Sequence, residues 1–193
     1  GRITGLDEAL TISGRAEAEM ADIGRLSGLA GRKLGGAGIV TVFGSGSPLT
    51  GAFDAEVTAE GTDLSANIPE LDGLLKGASR VELSARRDQT GTDLRRLSLV
   101  ATSLSATAQG RIASTGADLT ADLAFADLSV MGARYGGALE GKARLTGTLT
   151  EGGATLDATG TGLRVGQAEA DKLLAGQSAV ALVLALKDGA VQV

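Results

Sequence analysis

One segment of the chain has the spacing of a phosphate-binding loop. Residues 136–143, GGALEGKA, fit the pattern GxxxxGK. Such a loop needs a hydroxyl at the next position to ligate magnesium, and it must open a helix. Ala143 has no hydroxyl, and the residues after Lys142 alternate between apolar and polar as in a strand. We therefore interpret the segment as part of a β-strand.

Three aspartates, Asp118, Asp122 and Asp127, could suggest paired catalytic carboxylates or a calcium site. Asp118 and Asp122 lie on the same face of a predicted strand, with Thr120 between them. Their spacing lacks the DxDxDG pattern of a calcium loop. A solvated face of a strand is the better interpretation.

Composition excludes several kinds of chemistry. The chain has no His and no Cys, so zinc sites of the usual kind, thiol chemistry and Ser-His or Cys-His catalysis are absent. The net charge of −5 argues against nucleic acid, because phosphate neutralisation by Lys and Arg dominates that affinity. No residues suggest a nucleophile, a base or an oxyanion hole. The sequence predicts a protein that is not an enzyme, with no cofactor, no metal and no nucleic-acid partner.

The clearest signal in the chain is an internal repeat. Residues 61–83 return without a gap as residues 160–182, ninety-nine positions later, with eleven of the 23 paired residues identical. We interpret the chain as one elongated segment of two repeats of about 99 residues, roughly 1–105 and 106–193, because internal periodicity marks repeat architectures.

Each copy of the repeat predicts a strand, a short helix and a second strand. Pro69 suits the first turn of a helix, and Gly77 suits its left-handed end. Leu71, Leu74 and Leu75 form one apolar stripe. The second copy keeps this pattern through Ala170, Leu173, Leu174 and Gly176. The stripe packs on a sheet or plugs its mouth in one interpretation, and gates a ligand groove in the other.

Between these modules, period-two alternation predicts about a dozen strands, among them residues 118–128. We expect turns at residues 44–48 (GSGSP) and 87–93, and a bulge or bend near Thr102 and Ser103. Apolar residues make up 43%, mostly Ala, Leu and Val, while aromatic residues make up 2%. Small apolar residues suit a thin sheet. The predicted fold class is all-β: an elongated curled sheet with an apolar groove and two or three short amphipathic helices.

No segment has the roughly 18 uncharged apolar residues that a membrane span needs. The nearest run is residues 179–186. Because Gly1 begins in mid-pattern and Val193 ends in a predicted strand, we expect a fragment of a longer chain, with any targeting signal outside it.

The sequences of the predicted strands and helices resemble those of the TamB family, which is related to AsmA-like proteins. The resemblance lies in AEVTAEGTDL (55–64), GGALEGKARLTGTL (136–149) and ATGTGL (158–163), and in the spacers ELDGLLKG (70–77) and EADKLLAG (169–176). The family implies a taco-like β-sheet with an apolar interior, in a periplasmic protein anchored in the inner membrane. It further implies a partnership with TamA, an outer-membrane barrel, and roles in outer-membrane protein assembly and phospholipid movement.

The leading functional hypothesis is a conduit for phospholipid or detergent acyl chains. A sheathed chain of about sixteen carbons would gain about 12 kcal/mol at ~0.8 kcal/mol per methylene. The candidate groove residues are Leu83, Leu97, Leu99, Leu119, Leu123, Phe125, Leu139, Leu145, Leu149, Leu156, Val180, Leu182, Leu184 and Leu186.

Two alternatives stay open. A chaperone-like segment would offer sheet edges or the groove to unfolded outer-membrane strands by β-augmentation. An adhesin-type β-solenoid would have coils of about twenty residues and polar ladders. The single Asn, Asn67, and the long repeat argue against the solenoid.

Overall fold

The computed structural model of the protein describes residues 1–4, 10–148, 151–187 and 190–192. In these residues twelve strands form one antiparallel sheet in strict chain order, from β1 to β12. The sheet is curled and does not close on itself. The strands are β1 (Arg2–Thr4), β2 (Thr11–Met20), β3 (Gly35–Gly46), β4 (Phe53–Ser65), β5 (Ala78–Asp88), β6 (Gly91–Val100), β7 (Leu104–Ala113), β8 (Gly116–Phe125), β9 (Gly136–Gly147), β10 (Glu151–Arg164), β11 (Gln177–Lys187) and β12 (Ala190–Gln192). The predicted all-β fold is confirmed.

The helices all lie in connections at one end of the sheet, which we call the helical end. They are the 3-10 helix η1 (Ile23–Leu26), α1 (Ser27–Ala30), α2 (Pro69–Leu74), the 3-10 helix η2 (Leu128–Met131) and α3 (Ala168–Leu174). At the opposite end, the hairpin end, described connections such as those from β5 to β6 and from β7 to β8 are tight turns. The helical end is therefore where sequence insertions build a cover over the sheet.

Register divides the residues of the sheet into an apolar face and a polar face, because directly opposed residues in antiparallel strands share a face. On the apolar face, Leu83 pairs with Val57 on one side and with Leu97 on the other. On the polar face, Asp122 pairs with Thr107 and Lys142. The alternation read in the sequence therefore runs across strands as well as along them.

The sheet is a single layer with a small core. The accessible surface is 12414 Å², against about 8,400 Å² expected for a compact monomer of 19.2 kDa. Among the described residues, the buried apolar side chains are those of Leu74, Ala85, Leu104 and Leu163. Most of the apolar face therefore contacts solvent when nothing covers it.

A bulge in β6 keeps that face continuous. Ser84 pairs with Arg96 and Ala85 pairs with Leu94, which leaves Arg95 as an extra residue. Arg95 turns to the polar face, where it donates to Ser84 and Asp54. A bulge of this kind places two consecutive side chains on one side of a strand. The sequence LRRL (residues 94–97) can therefore keep both leucines on the apolar face.

Two predicted turns have different bounds in the structure. Gly44 and Gly46 belong to β3, and the turn follows them, closed by a bond from the Ser47 N–H to the Ala52 carbonyl oxygen. A Cβ on Gly44 would overlap the Asp54 carbonyl oxygen, so this glycine serves close strand packing. In residues 87–93, β5 runs to Asp88 and β6 starts at Gly91, because charged side chains are tolerated at an exposed strand end.

At the helical end one expectation is confirmed and one is wrong. Thr102 and Ser103 form a bend, as predicted, and this bend is the chain reversal between β6 and β7. The strand predicted over residues 118–128 ends at Phe125. Leu128 instead starts η2, because the Asp127 carboxylate accepts from the Ser129 N–H and opens a 3-10 turn.

The two repeat copies have the same local geometry. The Asp72 carboxylate accepts from the Ala66 N–H at 2.7 Å, and Asp171 accepts from the Val165 N–H at 2.7 Å. The backbone is left-handed at Asp63 and Asn67 in the first copy and at the corresponding Gly162 and Gly166 in the second. Gly77 is left-handed as predicted, but Gly176 is not, which corrects the expected end of α3.

Candidate functional site

Three consecutive rows of the apolar face cross the ten strands from β2 to β11, and every side chain in them is apolar. The first row is Ala16, Val42, Val57, Leu83, Leu97, Ala108, Ala121, Ala143, Leu156 and Leu182. The second is Ala18, Val40, Ala59, Val81, Leu99, Ala106, Leu123, Gly141, Ala158 and Val180. The third is Gly14, Gly44, Ala55, Ala85, Leu94, Gly110, Leu119, Leu145, Ala154 and Leu184.

These rows bring most of the predicted groove residues together. Leu83, Leu97, Leu99, Leu119, Leu123, Leu145, Leu156, Val180, Leu182 and Leu184 all belong to them. Phe125 and Leu139 face each other in the next row toward the helical end. For Leu186 only the backbone pairing, opposite Gly152, is described. Leu149 lies outside the described residues.

The apolar face is open to solvent to different degrees. Leu83, Leu97, Leu119 and Leu123 are half-buried. On the later strands Leu145 is 42% exposed and Leu182 is 38% exposed. The arrangement is a continuous apolar surface whose second half is more accessible than its middle.

A depression of about 770 Å³ crosses β7 to β11 at the level of the second row. Of the predicted groove residues, Leu123 and Val180 line it, and the others do not. Ten of its fifteen lining residues occupy polar-face positions, among them Asp122, Lys142 and Asp157. The depression therefore does not follow the apolar rows, which form an open surface.

Small residues set the relief of this surface. A Cβ on Gly141 would lie 2.5 Å from the Ala158 Cβ, so glycine permits the close approach of β9 and β10 there. Leu123 pairs with Gly141 across the strands, and Leu139 is its neighbour on the same face of β9. A lining of alanine and glycine between leucines offers no polar group that would fix the orientation of a ligand.

The polar face is a set of exposed ion pairs. Lys142 contacts Asp122 at 2.7 Å, and Arg144 contacts Asp118 at 3.1 Å. The hydrogen bond from Lys142 to Asp122 raises the pKa of the lysine. Because these carboxylates are exposed and paired with cations across the strands, the interpretation as a solvated strand face is confirmed.

Hydrogen bonds also lower the pKa of three other carboxyl groups. The hydrogen bond from Arg95 lowers the pKa of Asp54, and the same bond raises the pKa of Arg95. The pKa of Asp88 is lowered by the Thr90 hydroxyl and backbone N–H, and that of Asp127 by the same groups of Ser129. These groups brace the polar face and the turns, and none lies in the three apolar rows.

The helical end covers one margin of the apolar face. Leu64 and Leu163 fold over Gly61 and Gly160, at equivalent positions of the two copies, and leave no room for a side chain on either glycine. Helix α2 packs on η2, and a Cβ on Gly73 would overlap the Val130 carbonyl oxygen. These contacts make α2 a packed cover and support the plugging interpretation of the stripe.

The second copy lacks a contact like that between α2 and η2. Leu74 of α2 is 5% exposed, whereas Leu173 at the equivalent position of α3 is 84% exposed. Lys172 stands where α2 has Gly73, and α3 packs mainly on β10. The Ser79 hydroxyl donates to the Leu75 carbonyl oxygen, and the equivalent Ser178 hydroxyl is buried without a described partner.

Sequence reasoning missed the first third of the apolar face. Val42, Val57 and Val81 lie in the same rows as the predicted leucines. For Val57 and Val81 the alternation with charged or polar residues was a sufficient signal, but the emphasis on leucine left valine out; Val42, between Thr41 and Phe43, has no such signal. Arg87 also lies on this face, at the hairpin end, where it pairs with Phe53 and Thr92.

No group of three or more acidic side chains in the described part of the chain is placed to hold a metal ion. None of its helices is long and apolar enough to cross a membrane. Comparisons with protein-family models, with curated proteins and with solved structures found no match.

Proposed function

We propose that the protein is a non-enzymatic segment of a TamB-like periplasmic protein and that its apolar face shields phospholipid acyl chains between the inner and outer membranes. The observation that carries the proposal is the three apolar rows, which run unbroken over ten strands. In the full-length protein, the inner membrane and a TamA-like barrel would lie at its two ends.

The physical argument rests on what such a surface requires. A single-layer sheet that exposes leucine and valine over this width is costly in water, at about 25 cal/mol per Å² of apolar area. An acyl chain is a matching cover because it is flexible and carries no polar group to satisfy. The low relief of Gly141 and Ala158 allows a chain to slide, since nothing there fixes it by a hydrogen bond.

The test uses a phospholipid with a fluorescent acyl chain, incubated with the purified protein and separated by size exclusion. Wild-type protein should retain lipid. Leu123→Arg and Leu145→Arg place a charge on the apolar face and should lower retention about tenfold, since each charge costs more than the 1.4 kcal/mol that a tenfold change represents.

Thr120→Arg and Thr146→Arg are the matched controls, because they add the same charge to the polar face of the same two strands. Retention that falls equally in the controls would reduce the effect to general electrostatics. If the wild type retains no lipid but captures an unfolded outer-membrane protein, the proposal fails and assembly of outer-membrane proteins becomes the better function.

A further inference from the structure

Arg87 is a cation on an otherwise apolar face. It lies near the hairpin end of β5, in the row next to the third apolar row, together with Phe53 and Ile112. In this row and the three apolar rows, Arg87 is the one charged side chain at the described positions. Once acyl chains cover the face, the guanidinium loses water, and a cation that loses water needs an anionic partner.

The described part of the chain does not supply that anion. Arg80 and Arg144 on the polar face each contact a carboxylate, whereas the guanidinium of Arg87 makes no hydrogen bond or ion pair within the described residues. The next residue, Asp88, lies on the polar face, because successive side chains of a strand alternate. Its carboxylate accepts from the hydroxyl and the N–H of Thr90. The guanidinium of Arg87 is therefore free to bind an external anion.

The residue opposite Arg87 adds a second donor. Thr92 of β6 pairs directly with Arg87 and lies in the same row. Directly opposed residues in antiparallel strands have Cα atoms about 4.5–5.5 Å apart, so the hydroxyl and the guanidinium can donate to one anion. A planar guanidinium donates two parallel hydrogen bonds to a phosphate. The pair fits a phosphodiester with two free oxygens, which is the charged group of a phospholipid.

We propose that Arg87 selects phospholipids by binding the headgroup phosphate at the hairpin end, with the acyl chains along the apolar face toward the helical end. This inference rests on the function proposed above. From Arg87 to Val81, six steps along β5 cover about 20 Å at ~3.4 Å per residue. An acyl chain spans half of a hydrocarbon core of ~30 Å, or about 15 Å. The chain therefore fits between Arg87 and the cover at the helical end, where Ser79 is buried and donates to the Leu75 carbonyl oxygen.

The test compares two lipids that carry the same fluorescent acyl chain: a phosphatidylglycerol, and a diacylglycerol that lacks the phosphate. Retention of each by the purified protein is measured after size exclusion, and the wild type should prefer the phospholipid. Arg87→Gln should lower retention of the phospholipid about tenfold and leave that of the diacylglycerol unchanged, because the hydrogen bonds to the phosphate are lost while the apolar contacts remain.

Arg86→Gln is the matched control. Arg86 is the neighbouring residue on β5, but it lies on the polar face, opposite Asp54, so this variant should keep the wild-type preference. Arg87→Lys keeps the charge without the two parallel hydrogen bonds, and it should keep part of the preference. A preference that Arg86→Gln also abolishes comes from the general charge of the hairpin end and overturns the proposal.

The remaining outcomes separate this inference from the proposed function. If the wild type retains both lipids equally, or if Arg87→Gln lowers both alike, the role of Arg87 is refuted while the shielding of acyl chains stands. If inorganic phosphate at the concentration of the lipid displaces the phosphatidylglycerol, Arg87 is a site for free phosphate and the proposal is overturned. A wild type that retains neither lipid refutes the proposed function and this inference together.

Discussion

Because α2 packs on η2, one substitution in α2 should destabilise the protein where the same change in an ordinary helix would stabilise it. Gly73→Ala in an ordinary helix position stabilises by about 1 kcal/mol, because alanine has the better helix propensity. Here the added Cβ would overlap the Val130 carbonyl oxygen. We expect α2 to separate from η2 and the protein to lose stability.

The magnitude follows from the exposure of one leucine. If Leu74 moves from 5% exposed toward the 84% of its counterpart Leu173, about four-fifths of its burial is lost. Full burial of a leucine is worth about 1.5–3 kcal/mol, so the loss is about 1.2–2.4 kcal/mol. The helix gain offsets part of it, and the free energy of unfolding should fall by about 1 kcal/mol.

Urea unfolding followed by circular dichroism measures the effect. Leu74→Ala should cost about 2–5 kcal/mol in the wild type and less than about 1 kcal/mol in the Gly73→Ala background, since the leucine is then already exposed. Leu173→Ala and Lys172→Ala in α3 are the controls, each expected within about 0.5 kcal/mol of wild type. A stabilising Gly73→Ala, or additive effects of the two substitutions, would refute the proposed role of the contact between α2 and η2.

Two further predictions concern carboxylates. Asp72→Ala removes the acceptor for the Ala66 N–H and should cost about 1.5–3 kcal/mol in urea unfolding, with Asp72→Asn recovering part of it. The pKa values of Asp54, Asp88 and Asp127 are lowered in the folded state, so their stabilisation is present above the unfolded pKa of about 4 and is lost as the pH falls through the folded values. The melting temperature should hold from pH 7 to 5 and decline below about pH 4; a flat profile to pH 2 would contradict this.

Alternation made most of the sheet predictable. Period two along each strand assigned the faces, and the repeat located α2 and α3. The errors came where local text and pairing disagree. The glycines of the GSG run suggest a turn, yet Gly44 lies in a strand because β4 passes too close for a side chain. The relation of Leu74 to η2 could not be read from sequence, because it depends on a contact between segments more than fifty residues apart.

The apolar character of the candidate site could be predicted from the sequence, but the shape and exposure of its surface could not. The leucines of the apolar face were identified, and their common face follows from register. Which part of the face is open depends on curl and on the cover at the helical end, and neither has a local sequence signal. The unequal exposure of Leu74 and Leu173 goes with a difference in packing, because α2 lies on η2 whereas α3 packs mainly on β10, and the sequence of the helix alone does not show this.

The bulge at Arg95 bears on how such a sheet tolerates changes in length. In a strand without a bulge, one extra residue turns every following side chain to the other surface. Here the extra arginine is absorbed locally, and Leu94 and Leu97 stay on the same side. Deleting Arg95 would restore plain alternation and leave both leucines in place. Related strands can therefore differ in length by a single residue and still keep a continuous apolar face. An alignment of relatives should allow such one-residue gaps inside strands.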